Sequence, residues 1–269
     1  MGILNVTPDS FSDGGTHPTT EAAVAAALTM AAAGADIIDV GGESTRPGAP
    51  VVPPEIEQFR VIPVIRALAE RGVIVSVDTR NASTMAAALD AGAAIVNDVS
   101  AFGYDPSAAA LVAEHGCPVV LMHMRGTPAT MRDRAVYDDI AAEVTAELSA
   151  SVALALRAGI RREAIVLDPG IGFAKTSAQS MAVLRALPRL SELGFPLMAG
   201  VSRKSFIGAV ANEPDATRRL PGSLAAGLFA LSQGAMILRV HDVAETVQAI
   251  RVWHALQPIS GFHNAPLAG

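Results

Sequence analysis

The stretch Val73 to Asp98, VIVSVDTRNASTMAAALDAGAAIVND, sets the pattern of the whole chain. A β-branched run, Val73 to Val77, ends on the carboxylate of Asp78 and gives way to an alanine-rich segment. A second apolar run, Ile95-Val96, follows and ends on Asn97 and Asp98. Both runs are continuous in hydrophobicity rather than alternating. That is how parallel strands buried on both faces read, with the segment between them as the crossover helix. Outward from this unit the same order of apolar run, polar stop and helical stretch recurs at Ile3-Leu4, Ile37-Ile38, Val119 to Leu121, Ile165 to Leu167, Leu197-Met198 and Met236-Ile237-Leu238. Apolar residues at helical spacing, such as Val24, Leu28 and Met30 or Ile62, Ile65 and Leu68, fill the gaps. Eight such units predict an α/β fold, a single (β/α)8 TIM barrel, which takes about 250 residues; an open doubly wound sheet of this length carries fewer strands. No composition shift or linker divides the chain, so a single domain over 1–269 is expected.

Composition narrows the function classes. With 269 residues, 51% of them hydrophobic and 17% charged, the chain is globular rather than disordered. One cysteine, Cys117, makes no internal disulfide, and no leader opens the sequence, so a cytoplasmic location is expected. The nearly apolar stretch Ala22 to Ala35 is shorter than the roughly 20 residues of a membrane span and reads as a packed helix. A formal charge of -6 repels a phosphate backbone, which excludes nucleic acid as a partner but leaves room for a local basic pocket.

In a barrel the residues that end the strands converge on one mouth, where barrel enzymes place their chemistry. Here these are Asn5, Asp39 with Glu43, Thr45 and Arg46, then Asp78, Asn97 with Asp98, Met122 with His123, Asp168, Ser202 with Arg203 and Lys204, and Arg239 with His241. So many polar groups at the ends of apolar strands need partners, and a ligand supplies them. Asp78, Asn97, Asp168 and Lys204 suit a flat heterocycle with adjacent N–H donors and a carbonyl acceptor. Arg46, Arg239, His241 and Asn5 suit a phosphate or diphosphate, with the Asn5 amide oxygen able to ligate Mg2+. Two long loops rich in Gly, Pro, Ser and Thr, Thr7 to Thr20 and Gly41 to Pro54, frame the mouth either as lids or as plain solvated turns.

Other polar residues have plainer readings. Asp39 and Glu43 are equally well loop-anchoring acceptors or ligand contacts. Asp98 faces away from Asn97 on a strand and reads as structural. His123 reads as a satisfied core histidine, and His241, beside Arg239, as the better anion contact. No Cys/His or HExxH spacing suggests zinc, and Ser202 lacks the setting of a nucleophilic triad.

Nine ordered fragments carry a resemblance along nearly the whole chain. They are MGILNVTPDSFSDGG at Met1 to Gly15, IDVGGESTRPG at Ile38 to Gly48, VSVDT at Val75 to Thr79, VNDVS at Val96 to Ser100 and LMHMRGTP at Leu121 to Pro128. LDPGIGF follows at Leu167 to Phe173, then GVSRKSFIG at Gly200 to Gly208, PGSLA at Pro221 to Ala225 and RVHDV at Arg239 to Val243. In this order they resemble the dihydropteroate synthases, the folate-pathway transferases that join 6-hydroxymethyl-7,8-dihydropterin diphosphate to 4-aminobenzoate with Mg2+. The resemblance implies a pterin pocket of Asp78, Asn97, Met122, Asp168, Phe173, Gly200 and Lys204. It implies diphosphate contacts from Asn5, Arg46, Arg239 and His241, with the metal at Asn5. It also implies an aminobenzoate site near Phe11, Thr45, Pro47, Lys204 and Ser205. Asp78, Lys204, Arg239 and Arg46 are the expected catalytic set, and a homodimer through late helices such as Leu224 to Gln233 is implied.

A related pterin-binding methyltransferase barrel shares the Asp and Asn pattern but has no diphosphate to hold, so the STRPG, SRK and RVHDV segments favour the synthase. A non-catalytic pterin-binding paralogue finds no support, since each catalytic-type position is filled. Family members usually carry residues ahead of the stretch that here begins at Met1, and Arg125 stands where an uncharged polar residue is usual.

Overall fold

The computed structural model describes residues 1–7, 20–44 and 48–257. Strands and helices alternate: β1 (Gly2–Asn5), α1 (Thr20–Ala32), β2 (Ile38–Gly41), α2 (Pro54–Ala69), β3 (Val75–Asp78), α3 (Ala82–Asp90), β4 (Ile95–Asp98) and α4 (Ala108–His115). The second half runs β5 (Val119–Met122), α5 (Ile140–Arg157), β6 (Ile165–Asp168), α6 (Ser177–Arg185), α7 (Leu187–Ser191), β7 (Met198–Ala199), α8 (Ser205–Ala211), α9 (Leu220–Ser232), β8 (Ile237–Leu238) and α10 (Val243–Leu256).

β1 to β6 pair in chain order as one parallel sheet, and β7 pairs with β8. Two single bridges join these pieces, Leu167 with Leu197 and Gly2 with Val240. Around the second, Ile3 donates to the Val240 carbonyl at 2.9 Å and Val240 to that of Met1 at 3.0 Å. The circle is thereby closed, and the protein is the expected (β/α)8 barrel.

Alternation along each strand divides its side chains between two layers. Leu4, Ile38, Val40, Val75, Val77, Val96, Val119, Leu121, Ile165 and Leu167 point outward and form, with the inner faces of the helices, one buried apolar core. The intervening positions point into the barrel, so Asn5, Asp39, Asp78, Asn97, Met122 and Asp168 fall in the inner layer at or near the C-terminal strand ends. The helices are held by ordinary means: Pro54 opens α2, Asp139 caps α5 by accepting from Ala142 N–H at 3.0 Å, and Thr176 and Gln179 form a capping box on α6.

The expected start of β3 at Val73 is corrected to Val75. The Val73 amide is taken by the Leu68 carbonyl at 3.2 Å, so it belongs to the end of α2. β7 and β8 are two residues each and sit one residue later than their apolar runs begin. No helix among the described residues is long and apolar enough to cross a membrane.

Candidate active site

The mouth is built on Arg239, which follows β8. Its Nε donates to Asp39 Oδ2 at 2.6 Å and its Nη2 to Asp78 Oδ2 at 2.6 Å, while Asn97 Nδ2 also donates to Asp39 Oδ2 at 3.0 Å. Asp39 is wholly inaccessible to solvent and Asp78 nearly so. Burial pushes the Asp78 carboxyl up, with Arg239 opposing and the Asp39 charge adding to the rise. Burial also works against the charge on Arg239, but Asp39 and Asp78 hold its pKa above the ordinary value. Asp39 Oδ1, Asp78 Oδ1 and Asn97 Oδ1 are buried with no hydrogen-bond partner among the described residues, so each has an acceptor left to use.

On the opposite side of the mouth Asp168 accepts from the Gly170 amide at 2.7 Å through Oδ1. Burial raises its pKa, against the Gly170 N–H, Lys204, Arg239 and Lys175. Lys204 Nζ stands 4.1 Å from the centre of the Phe173 ring, a cation–π contact. Burial lowers Lys204 to about 8, with Asp168 and Asp78 opposing. Met122 is a buried wall at the end of β5, and Gly200 follows β7 facing Asp168 Oδ2. Ser205 opens α8 at the surface.

His241 Nδ1 lies 3.0 Å from Ser202 Oγ, which also accepts from the His241 amide at 3.2 Å. Burial together with Arg203 and Arg239 lowers His241 to about 4, so the ring is neutral at pH 7 and offers an anion an N–H donor rather than a charge. Arg203 is turned aside by a forked pair with Asp242, whose Nε to Oδ2 distance is 3.0 Å. Asn5 ends β1 beside Gly41, half-buried. Phe11, Thr45, Arg46 and Pro47 lie outside the described residues.

The two open readings of the acidic pair resolve differently. Asp39 belongs to the mouth. Glu43 anchors loops, accepting from Arg80 through both oxygens, at 3.0 and 3.2 Å, and from the Val52 amide at 3.0 Å. Asp98 has the structural role expected of it, gathering the Ser100 hydroxyl and the Ser100 and Phe102 amides into the turn after β4. His123 is a satisfied core histidine, bonded to Glu147 and Lys175 at 2.9 and 2.8 Å. Arg125 also finds its account here: it pairs with Glu143 and Glu147 and stacks 3.9 Å over the Tyr137 ring, which closes the long connection after β5. Sequence reasoning missed Lys175 altogether; the signal available was a lysine five residues past the DPG turn in an otherwise apolar segment.

Fold and mouth together define a (β/α)8 barrel with buried carboxylates, an amide, a lysine and a fixed arginine converging at the C-terminal ends of its strands. A family model described as "pterin binding enzyme" matches residues 1–241. The dihydropteroate synthase of Synechocystis sp. is 48% identical over 95% of this chain and 89% of its own length; that of Escherichia coli K12 is 49% identical over 95% and 90%. A solved structure of Xanthomonas albilineans dihydropteroate synthase with 4-aminobenzoic acid superposes with a TM-score of 0.91 at 51% identity, covering 96% of this chain and 93% of that one. The chain belongs to the pterin-binding enzyme family, among its dihydropteroate synthases.

Proposed function

We propose that this protein condenses 6-hydroxymethyl-7,8-dihydropterin diphosphate with 4-aminobenzoate to give 7,8-dihydropteroate and diphosphate, as one cytoplasmic barrel domain. The observation that carries this reading is the set of unpartnered buried acceptors on Asp78 and Asn97, next to an arginine already fixed in the same mouth. The X. albilineans enzyme has been solved with 7,8-dihydropteroate and with 4-aminobenzoic acid, and that of Yersinia pestis with a sulfonamide drug.

In this reading Asp78, Asn97 and Asp168 accept from the pterin's ring and amino N–H groups, with Met122, Phe173, Gly200 and Lys204 as walls and floor. Asn5, Arg46, Arg239 and His241 meet the diphosphate, and Phe11, Thr45, Pro47, Lys204 and Ser205 the aminobenzoate. The C–O bond of the pterin methylene breaks with its electron pair leaving on the diphosphate. Arg239 and Arg46 stabilise the charge that grows there, so they favour the transition state over the ground state. Asp78, paired with Arg239, lies where it can stabilise the cationic pterin. The arylamine nitrogen then bonds to the methylene and loses its proton to solvent, and no strong base is needed.

Mg2+ suits this site through Asn5. A hard cation that keeps most of its waters needs only one protein oxygen beside the diphosphate, and no cluster of three acidic, His or Cys ligands exists among the described residues. When bound, the ion neutralises charge on the departing diphosphate. Phe229, Val252 and Leu256 are exposed on α9 and α10, which supports a homodimer through that face.

A diphosphate-release assay with both substrates and Mg2+ tests the reading. Dihydropteroate is expected, with Lys204→Ala and Arg239→Ala lowering kcat/KM at least a hundredfold, which corresponds to about 2.7 kcal/mol. The same preparation should sediment as a dimer. Diphosphate released without the amine supports departure before attack; strict dependence on the amine places the two events together. No product in the wild type overturns the assignment.

A further inference from the structure

Among the described residues near the mouth, the loop between β6 and α6 departs most from ordinary backbone. Gly170, Gly172 and Ala174 all have positive φ, at 65°, 83° and 47°. A Cβ on Gly170 would stand 1.9 Å from the His123 carbonyl oxygen. A chain bent in this way persists only where its surroundings hold it. The holding group is Lys175, a buried lysine. Its Nζ donates to the carbonyls of Gly170 and Phe173, each at 3.0 Å, and to His123 Nδ1 at 2.8 Å. All three of its donors are thereby used. Behind it, His123 Nε2 lies 2.9 Å from Glu147 Oε2, and Glu147 pairs with Arg125. From the far side Tyr137 donates its hydroxyl to the Ala174 carbonyl at 3.0 Å.

Burial lowers Lys175 to about 7, with the Asp168 charge opposing, so its hydrogen bonds rather than a fixed charge hold the loop. Burial, with the Lys175 charge beside it, lowers His123 to about 4, which leaves the ring neutral with Nδ1 free to accept. The loop in turn sets the mouth's geometry, because the Gly170 amide binds Asp168 Oδ1 and the Phe173 ring meets Lys204 Nζ. Gly172 lies against the Lys204 stem.

We propose that Lys175 is a positioning residue for the pterin site: its Nζ, backed by His123 and Glu147, clamps the loop after β6 through its hydrogen bonds so that Asp168 and Lys204 are held in the orientation the heterocycle requires. This rests on the reading that Asp168 and Lys204 bind the pterin. Of the two side chains the clamp orients, Asp168 serves the pterin alone and Lys204 both substrates, so the clamp acts more strongly on the pterin than on the aminobenzoate.

Steady-state kinetics on the purified enzyme, varying each substrate in turn, tests the clamp. Lys175→Met is expected to raise the KM for the dihydropterin diphosphate about tenfold or more, the scale set by sub-ångström misplacement of binding groups, with a clearly smaller rise in the aminobenzoate KM. His123→Leu, which removes the Nδ1 acceptor, is expected to shift the pterin KM in the same direction by a few fold, and it decides the matter if Lys175→Met does not fold. Leu148→Ala, on the core face of α5, serves as the control for lost stability and should leave the pterin KM unchanged. The proposal is overturned if the two clamp variants move the pterin KM no more than Leu148→Ala does, or move both KM values equally. Asp168→Asn separates the two failures. If it raises the pterin KM while Lys175→Met does not, only the clamp is wrong; if it too has no effect, the pterin-site reading falls with it.

Discussion

Arg239 arrives in the mouth with two of its three nitrogens engaged by Asp39 and Asp78, so it presents its remaining edge to an anion with little freedom left to lose. Two carboxylates around one guanidinium leave excess negative charge, and Lys204 is the cation that offsets it from across the pocket. Burial lowers Lys204 to about 8 from the ordinary lysine value, so its proton is lost as pH rises through that point. We therefore expect kcat to fall above pH 8 in a pH–rate profile, and Lys204→Arg to move that alkaline limb beyond pH 10, because guanidinium keeps its proton. An unchanged limb in the variant would assign it to another group. At this scale much was legible: Asp78, Asn97 and Asp168 are the polar residues that terminate apolar runs. Asp39 could also have been placed, since Val40 beside it faces the outer core and strand alternation turns Asp39 inward. Lys175 showed only as a lone lysine in an apolar segment, and its role did not, because its partners come from the segment after β5 and from its own loop, which no local spacing brings together.

Among the elements, the turn after β6 has the least tolerance. Gly170→Ala places a methyl against the His123 carbonyl and puts a side chain at a φ of 65°. It is expected to cost about 3 kcal/mol or more of unfolding free energy in urea melts, and to reduce activity in whatever fraction stays folded. A variant as stable as the wild type would contradict this packing. Helices and most strands could be read from the sequence because alanine-rich 3.6-residue periodicity and β-branched runs reflect the outer core directly. Strand edges could not, as the Val73 amide shows: the choice between the end of α2 and the start of β3 is made by one hydrogen bond that the composition does not encode.

At the scale of the molecule the barrel is unevenly closed. β1 to β6 share continuous ladders, whereas β7 and β8 are joined to them by single bridges at Leu197 and Val240. Segments held by short ladders open at lower free energy than the rest of a fold. Hydrogen exchange should accordingly be faster at Ile237 to Val240 than at Val75 to Val77, and equal protection in the two would contradict a weak seam. Barrel topology was legible from the count of repeating units, but the seam was not, since Leu197-Met198 and Met236 to Leu238 are as apolar as the longer strands. The residue that follows β8 is Arg239, the same one that grips Asp39 of β2 and Asp78 of β3. An anion that settles on Arg239 thus adds its own binding free energy to the circle at its weakest join, by mass action. For this protein, occupancy of the mouth and integrity of the wall are one equilibrium, and the ligand acts as a removable stave that tightens the cask.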